Sequence, residues 1–277
     1  MIIKLLLLFC NLCNAIYNIN YGYTGVFLSG AAYCNKNRYL NMKLIGPASG
    51  FIITDIIFDS STDLQGYIGY LDNLQTIHIV IRGSASFLNF FDDFKILRIP
   101  YETWLECNCT VHNGFYKMTR RIKNDVIEKI NVIRKNKPNY TIIINGHSLG
   151  SAIADLLSME LAKENIESMV YGYGKPRIGD IKYAKFYNTK IKEHYRHTHN
   201  KDIVPHLPPN NKFDYYHSCQ EIFEDMNGKL KICSSDDCED KSCGEQYKLF
   251  ETNIYDHKYY LGHKLECLES INESNYI

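Results

Sequence analysis

Residues 141–157 read TIIINGHSLGSAIADLL. The opening half is a short β-branched run just after Pro138, the pattern of a strand buried on both faces. In the second half Leu149, Ile153, Leu156, Leu157 and then Leu161 recur at helical spacing, and Ala152, Ala154 and Ala162 add helix propensity. Ser148 therefore falls where a buried strand meets an apolar helix, between Gly146 and Gly150. Glycines there let the two backbones approach in a sharp turn, which pushes the serine side chain out at the end of the sheet. The N–H groups that open the helix would face any negative charge developing beside that serine. G-x-S-x-G alone is a weak signal; strand, turn and helix around it give it chemical meaning.

The flanking sequence continues the alternation. YIGYLDNLQTIHIVIRG, residues 67–83, predicts a hairpin through Asp72-Asn73 into a core strand that ends near Arg82. Phe115, Met118, Ile122, Val126 and Ile130 predict a helix before the serine strand. SMVYGYG and IKEHYRHTH predict the next two strands, each ending in a loop rich in unusual residues. The fold class is α/β with a mostly parallel sheet, in which catalytic loops follow the carboxyl ends of strands.

At 277 residues the chain is long enough for one large α/β domain with a full core. Lys plus Arg and Asp plus Glu balance at 31 each, which argues against nucleic acid or an anionic membrane held mainly by charge. No charge run, repeat or proline-rich linker divides the sequence, so residues 16–277 are expected to form a single domain. Residues 1–15, MIIKLLLLFCNLCNA, have a lysine, an apolar run and a small residue before Ile16, as a secretory leader does. The run falls short of the ~20 residues that a transmembrane segment needs. A secreted, extracellular protein is expected.

Of ten cysteines, Cys10 and Cys13 lie in the leader and eight remain, an even number suited to disulfides in an oxidising compartment. The run CSSDDCEDKSC, residues 233–243, has a spacing that matches no common zinc pattern. Sequons at Asn108, Asn139 and Asn272 fit a secreted glycoprotein.

A serine hydroxyl is a poor nucleophile until a histidine removes its proton and a carboxylate orients that histidine. In a strand–elbow–helix fold the acid and then the histidine follow the serine along the chain. Asp202, in HNKDIVPHLPP, leaves a predicted strand in a loop stiffened by prolines. Beyond it lie His217, His257 and His263, and residue patterns alone do not choose between His257 and His263. In HYRHTH, His194 faces away from His197 and His199, which argues against a shared metal.

NGHSLGSA, YGKPRIGD, YRHTHNKDIVPHLPP and YDHKYYLG, with IRGSASFLNFFDD and VHNGF upstream, occur in one order at compatible spacing. Together they resemble the signatures of the class 3 lipases, the secreted fungal-type triacylglycerol lipases, from about Tyr33 to Cys267. The resemblance implies the α/β-hydrolase fold with a nucleophile elbow and a short helical lid. It implies Ser148 as nucleophile, Asp202 as orienting acid and, within D-H-x-x-Y, His257 as base, and it implies neither cofactor nor metal. Ser84 and Leu149 would supply the oxyanion donors, and Asp93 would hold the Ser84 hydroxyl when the lid opens. A terminal disulfide between Cys34 and Cys267 is also implied. Cys107 and Cys109 stand where the family has a local disulfide, although a single intervening residue strains such a ring. Where the family has a further glycine this chain has Ser151, whose hydroxyl, early in the helix, is expected to find a partner.

Fold alone does not name the substrate. In the stretch that matches the lid, Phe87, Phe90 or Phe91, and Phe94 would share one helical face with Leu88 nearby, while Asp92, Asp93 and Lys95 turn away. So apolar a lid favours adsorption to a lipid–water interface. The expected activity is triacylglycerol lipase; a soluble-ester (feruloyl-esterase-like) carboxylesterase and a phospholipase A1 are the alternatives, and a catalytically silent lipid-binding protein the remaining one. No feature fixes an oligomeric state, and a monomer is assumed.

Overall fold

The structure, a computed structural model, describes residues 17–84, 96–236 and 238–267. The expected leader at 1–15, the lid residues Phe87, Leu88, Phe90, Phe91, Asp93 and Phe94, and Asn272 lie outside the described residues. Helix α1 (Ile19–Ala31) precedes the strands β1 (Ile52–Asp59), β2 (Leu64–Leu71) and β3 (Thr76–Ile81). A short pair, β4 (Arg98–Pro100) and β5 (Thr110–His112), leads into α2 (Asn113–Arg134) and then β6 (Thr141–His147). Next come α3 (Leu149–Lys163), β7 (Met169–Tyr173), α4 (Ile181–Lys190), β8 (His194–His199), β9 (Glu221–Glu224) and β10 (Leu230–Ile232). The two-residue strands β11 (Tyr259–Tyr260) and β12 (His263–Lys264) close the described chain.

Eight strands form the main sheet in the order β1-β2-β3-β6-β7-β8-β9-β10. The five from β3 to β9 run parallel, and β1, β2 and β10 add antiparallel edges. Every residue of β3 is buried, and so is β6 from Ile142 onward, as expected of strands covered on both faces. One cover is α2, which buries Phe115, Met118, Ile122, Val126, Ile130 and Ile133 along a single stripe. The other includes α1, whose Val26 packs with Ile143, Tyr171 and Tyr173.

Helix α3 is buried from Leu149 to Leu161, the polar Ser151, Asp155, Ser158 and Glu160 included. It lies so close to the sheet that neither Gly146, in β6, nor Gly150, in its own first turn, has room for a side chain. A Cβ on Gly146 would sit 2.3 Å from the Gly150 carbonyl, and one on Gly150 would sit 2.1 Å from the Ile81 carbonyl oxygen. Ser151 is accommodated by a glycine on the neighbouring strand: a Cβ on Gly172 would meet Ser151 Oγ at 2.1 Å. The Ser151 hydroxyl is buried with no hydrogen-bond partner among the described residues, contrary to the expectation that it would find one. Space, supplied by Gly172, is what admits serine here.

Four disulfides join Cys34 to Cys267, Cys107 to Cys109, Cys219 to Cys238 and Cys233 to Cys243. The first ties the end of α1 to the last described residue. The last two fold the 233–243 run back on itself and onto the segment entering β9.

Candidate active site

Ser148 sits in the turn between β6 and α3 with φ 56° and ψ −125°. Residues with a Cβ rarely adopt that conformation, at a cost on the order of 1–3 kcal/mol, and the surroundings must hold them there. Here the Ser148 N–H donates to the Tyr173 carbonyl at 2.9 Å, and its own carbonyl accepts from Ser151 and Ala152 in the first turn of α3. The hydroxyl is buried with no hydrogen-bond partner among the described residues.

Asp202 and His257 meet beside that turn from two different loops. The His257 Nδ1–H donates to Asp202 Oδ2 at 2.8 Å, and both side chains are almost fully buried. That bond fixes the tautomer, because a neutral ring that donates through Nδ1 carries its lone pair on Nε2. Asp202 also accepts from the Val204 N–H at 2.8 Å and from the Tyr260 hydroxyl. Gly174, at φ 57°, backs the pair: a Cβ there would lie 2.7 Å from the imidazole and 2.9 Å from Asp202 Oδ2.

The two loops are stitched together behind the pair. Asp256 accepts from Asn200, Asn253 and the Lys201 N–H, and its own N–H donates to Asn253 Oδ1. The Asp202 loop is fixed from below as well. Arg177 donates its N–H to the Leu207 carbonyl, and its guanidinium reaches Pro208 O, Glu239 and Glu245. Burial pushes Glu245 up to about 7 against the pull of Arg177. His217, Glu239 and Glu245 come close enough together to hold a metal ion. The Arg177 cation already engages both carboxylates, so the charge a metal would bring is supplied by the chain itself.

Ser84 is half-buried at the end of the loop that follows β3, and Leu149 is buried as the first residue of α3. The Gly83 backbone brings the two segments together, since a Cβ on it would lie 3.1 Å from the Ser148 Cβ. Asp93 and the other lid residues fall outside the described residues. The remaining histidines are held elsewhere. His263 stacks on Phe27 with ring centroids 3.9 Å apart, and His217 donates through Nε2 to the Pro205 carbonyl. His197 bonds Tyr17 and the Gly172 carbonyl, whereas His194 bonds the Ile191 carbonyl and packs on Tyr187.

A mostly parallel sheet covered by helices, with a strained serine after one central strand and an Asp–His pair on later loops, defines an α/β-hydrolase. The comparisons narrow this further: residues 78–212 match the lipase (class 3) family model. Among sequence relatives, a lipase of Rhizomucor miehei is 30% identical over 207 residues, which cover 72% of this chain and 56% of that protein. A secreted mono- and diacylglycerol lipase of Fusarium solani is 27% identical over 220 residues, 73% of this chain and 65% of that one. The matched region thus spans only about half to two thirds of these curated relatives. Among solved structures, lipase II from Rhizopus niveus superposes with a TM-score of 0.80 at 26% identity, covering 90% of this chain and 97% of that one. A triacylglycerol lipase whose catalytic centre is described as a serine protease triad gives 0.82 at 25% identity, covering 90% and 96%. The chain belongs to the class 3 lipase family.

Two contributors were visible in the sequence but were given no role of their own there. Tyr260 follows His257 by three residues inside YDHKYYLG and donates to Asp202. His147 stands directly before Ser148, and its ring centroid lies 4.3 Å from that of His257. A buried polar residue beside a nucleophile is the signal that would have singled it out.

Proposed function

We propose that the protein is a secreted carboxylic ester hydrolase that cleaves lipid esters, triacylglycerols above all, through an acyl-enzyme on Ser148. The observation that carries this is the buried serine at φ 56° on the strand–helix turn, with the 2.8 Å Asp202–His257 pair on the loops beside it. Ser148 Oγ attacks the ester carbonyl carbon while His257 Nε2 takes its proton. The N–H groups of Ser84 and Leu149 receive the oxyanion, where each aligned donor typically contributes about 3 kcal/mol. His257 then passes the proton to the departing alkoxide, and water repeats the sequence on the acyl-enzyme to release the acid. Asp202 keeps the imidazole in its tautomer and stabilises the imidazolium in both halves.

A leader at 1–15 precedes one domain at 16–277, and four disulfides suit an oxidising compartment. Among the described residues no helix is long and apolar enough to cross a membrane. The apolar residues between Phe87 and Phe94 in the sequence favour adsorption to a lipid–water interface. The test follows hydrolysis of tributyrin as its concentration crosses the solubility limit. A rise in rate at the onset of the emulsion supports a lipase; saturation below it points to a soluble-ester esterase.

A further inference from the structure

The Tyr33 hydroxyl lies 2.6 Å from His147 Nδ1, and His147 Nε2 lies 2.8 Å from the carbonyl oxygen of His257. A carbonyl only accepts, so Nε2 carries the hydrogen; the neutral ring then accepts at Nδ1 from the tyrosine O–H. Burial, reinforced by the nearby His257, holds the His147 pKa well below its ordinary value, which keeps the ring neutral. The other end of the chain of bonds touches the oxyanion loop. A Cβ on Gly83 would lie 2.2 Å from the Tyr33 hydroxyl and 2.8 Å from the His147 carbonyl oxygen. Tyr33 is itself anchored by its neighbour Cys34 in the disulfide to Cys267.

We propose that Tyr33 and His147 are positioning residues: together they form a strut from the Gly83–Ser84 loop to the backbone of His257. The proposal rests on the reading of Ser148, His257 and Asp202 given above. Its two ends hold the groups that must close on opposite sides of one ester carbonyl, the oxyanion donors and the base. The element between them is the peptide that carries the nucleophile. A misplacement of about 1 Å between such groups costs on the order of 100-fold in rate. The strut also has to be neutral, because the His147 ring packs against the ring that becomes an imidazolium. A histidine with both nitrogens engaged gives two directed bonds there without adding charge.

The test uses Tyr33→Phe, His147→Phe and His147→Gln in the full chain, with p-nitrophenyl butyrate as soluble substrate and active sites counted by fluorophosphonate titration. Glutamine carries an N–H donor and a carbonyl acceptor on one side chain and so replaces both bonds; phenylalanine keeps the ring and neither bond. The expected result is a fall in kcat on the order of 100-fold for His147→Phe and tenfold for Tyr33→Phe, with KM within about twofold. The acidic limb of the pH–rate profile should move to lower pH in both, since a looser His257–Asp202 pair stabilises the imidazolium less. His147→Gln should recover most of the rate and return the limb toward its wild-type position. If the wild type labels at Ser148 while both phenylalanine variants keep its kcat and acidic limb, the strut is wrong and the triad reading stands. Glutamine performing no better than phenylalanine also removes the strut. A wild type that does not label at Ser148 removes both. If His147→Phe does not fold, Tyr33→Phe, which deletes a single oxygen, carries the comparison.

Discussion

The two ends of the central sheet differ in kind. At the amino ends of β6, β7 and β8 a cavity of about 730 Å³ opens between Trp104, Arg134, Tyr140, Ser168, Lys190 and Lys192. At the carboxyl ends of the same strands Ser148, Asp202 and His257 are each at most 3% exposed. The roomier end is lined by scattered polar side chains, Arg134, Ser168, Lys190 and Lys192 among them, and Trp104 packs between the ammonium groups of Lys163 and Lys190, at 4.4 and 4.2 Å from the ring. At the closed end the bonds to Asp202, Tyr33 and the His257 carbonyl fix the tautomers of the His257 and His147 rings. Empty volume marks where side chains fail to fill space, whereas chemistry needs groups aimed at one point. Parallel strands place their following loops at the carboxyl end, which is why the proposed catalytic set collects there.

The largest effect expected from this contrast comes from Asp202→Asn. The amide would keep the geometry but favour the wrong tautomer of His257, and kcat on a soluble ester should fall about 10⁴-fold. A fall under tenfold would place the orienting acid elsewhere.

Next in size is a pH effect on stability that engages both ends of one strand. Burial holds His194, at the start of β8, down to about 3 and His197, nearer its end, down to about 4. Burial lowers His78 to about 3, and His112, His206 and His263 to about 4. As pH falls below 6.5, the unfolded chain binds protons at these positions before the folded chain does. Stability is therefore full above about 6.5 and is lost on descending toward 4. Glu245, raised to about 7, and Glu224, Glu193 and Asp155, raised by burial as well, work in the opposite sense as pH falls, but they are four groups against eight, since burial also lowers His147 and His217. Urea midpoints between pH 4 and 8 should show the decline, and His194→Asn and His197→Asn should each flatten it.

Gly172→Ala should cost about 1–3 kcal/mol, since the new Cβ overpacks the Ser151 hydroxyl. In a Ser151→Gly background most of that loss should disappear in urea denaturation; equal losses in both backgrounds would show that the two positions do not share the space. Ser151→Gly alone should leave activity within a few-fold. The smallest effect belongs to the open end: Lys192→Ala should keep kcat and KM within twofold, and a large change would make that cavity part of the function.

The elbow was legible because its determinants are local. Ile142 to Ile144 announce a buried strand, Leu149 to Leu161 an apolar helix, and Gly146 and Gly150 the turn between them. The loop carrying Asp202 was legible for the same reason. The choice of His257 over His263 was not legible in residue pattern and came only from the family resemblance, because it depends on which histidine the C-terminal turn brings back to Asp202 and which stacks on Phe27. Neither were the cysteine pairs beyond Cys34 and Cys267, since pairing follows distance in space. The Tyr33–His147–His257 contacts lie furthest from sequence pattern. They join positions more than a hundred residues apart, and one of them ends on a backbone carbonyl that carries no residue identity.

The central claim is that Ser148, at the carboxyl end of the sheet, is the activated nucleophile. It is tested most directly by exposing the protein to a fluorophosphonate probe and mapping the adduct by peptide mass spectrometry. Stoichiometric labelling on Ser148, absent from Ser148→Ala, is the predicted result. An unlabelled wild type, or an adduct on any other residue, would contradict it.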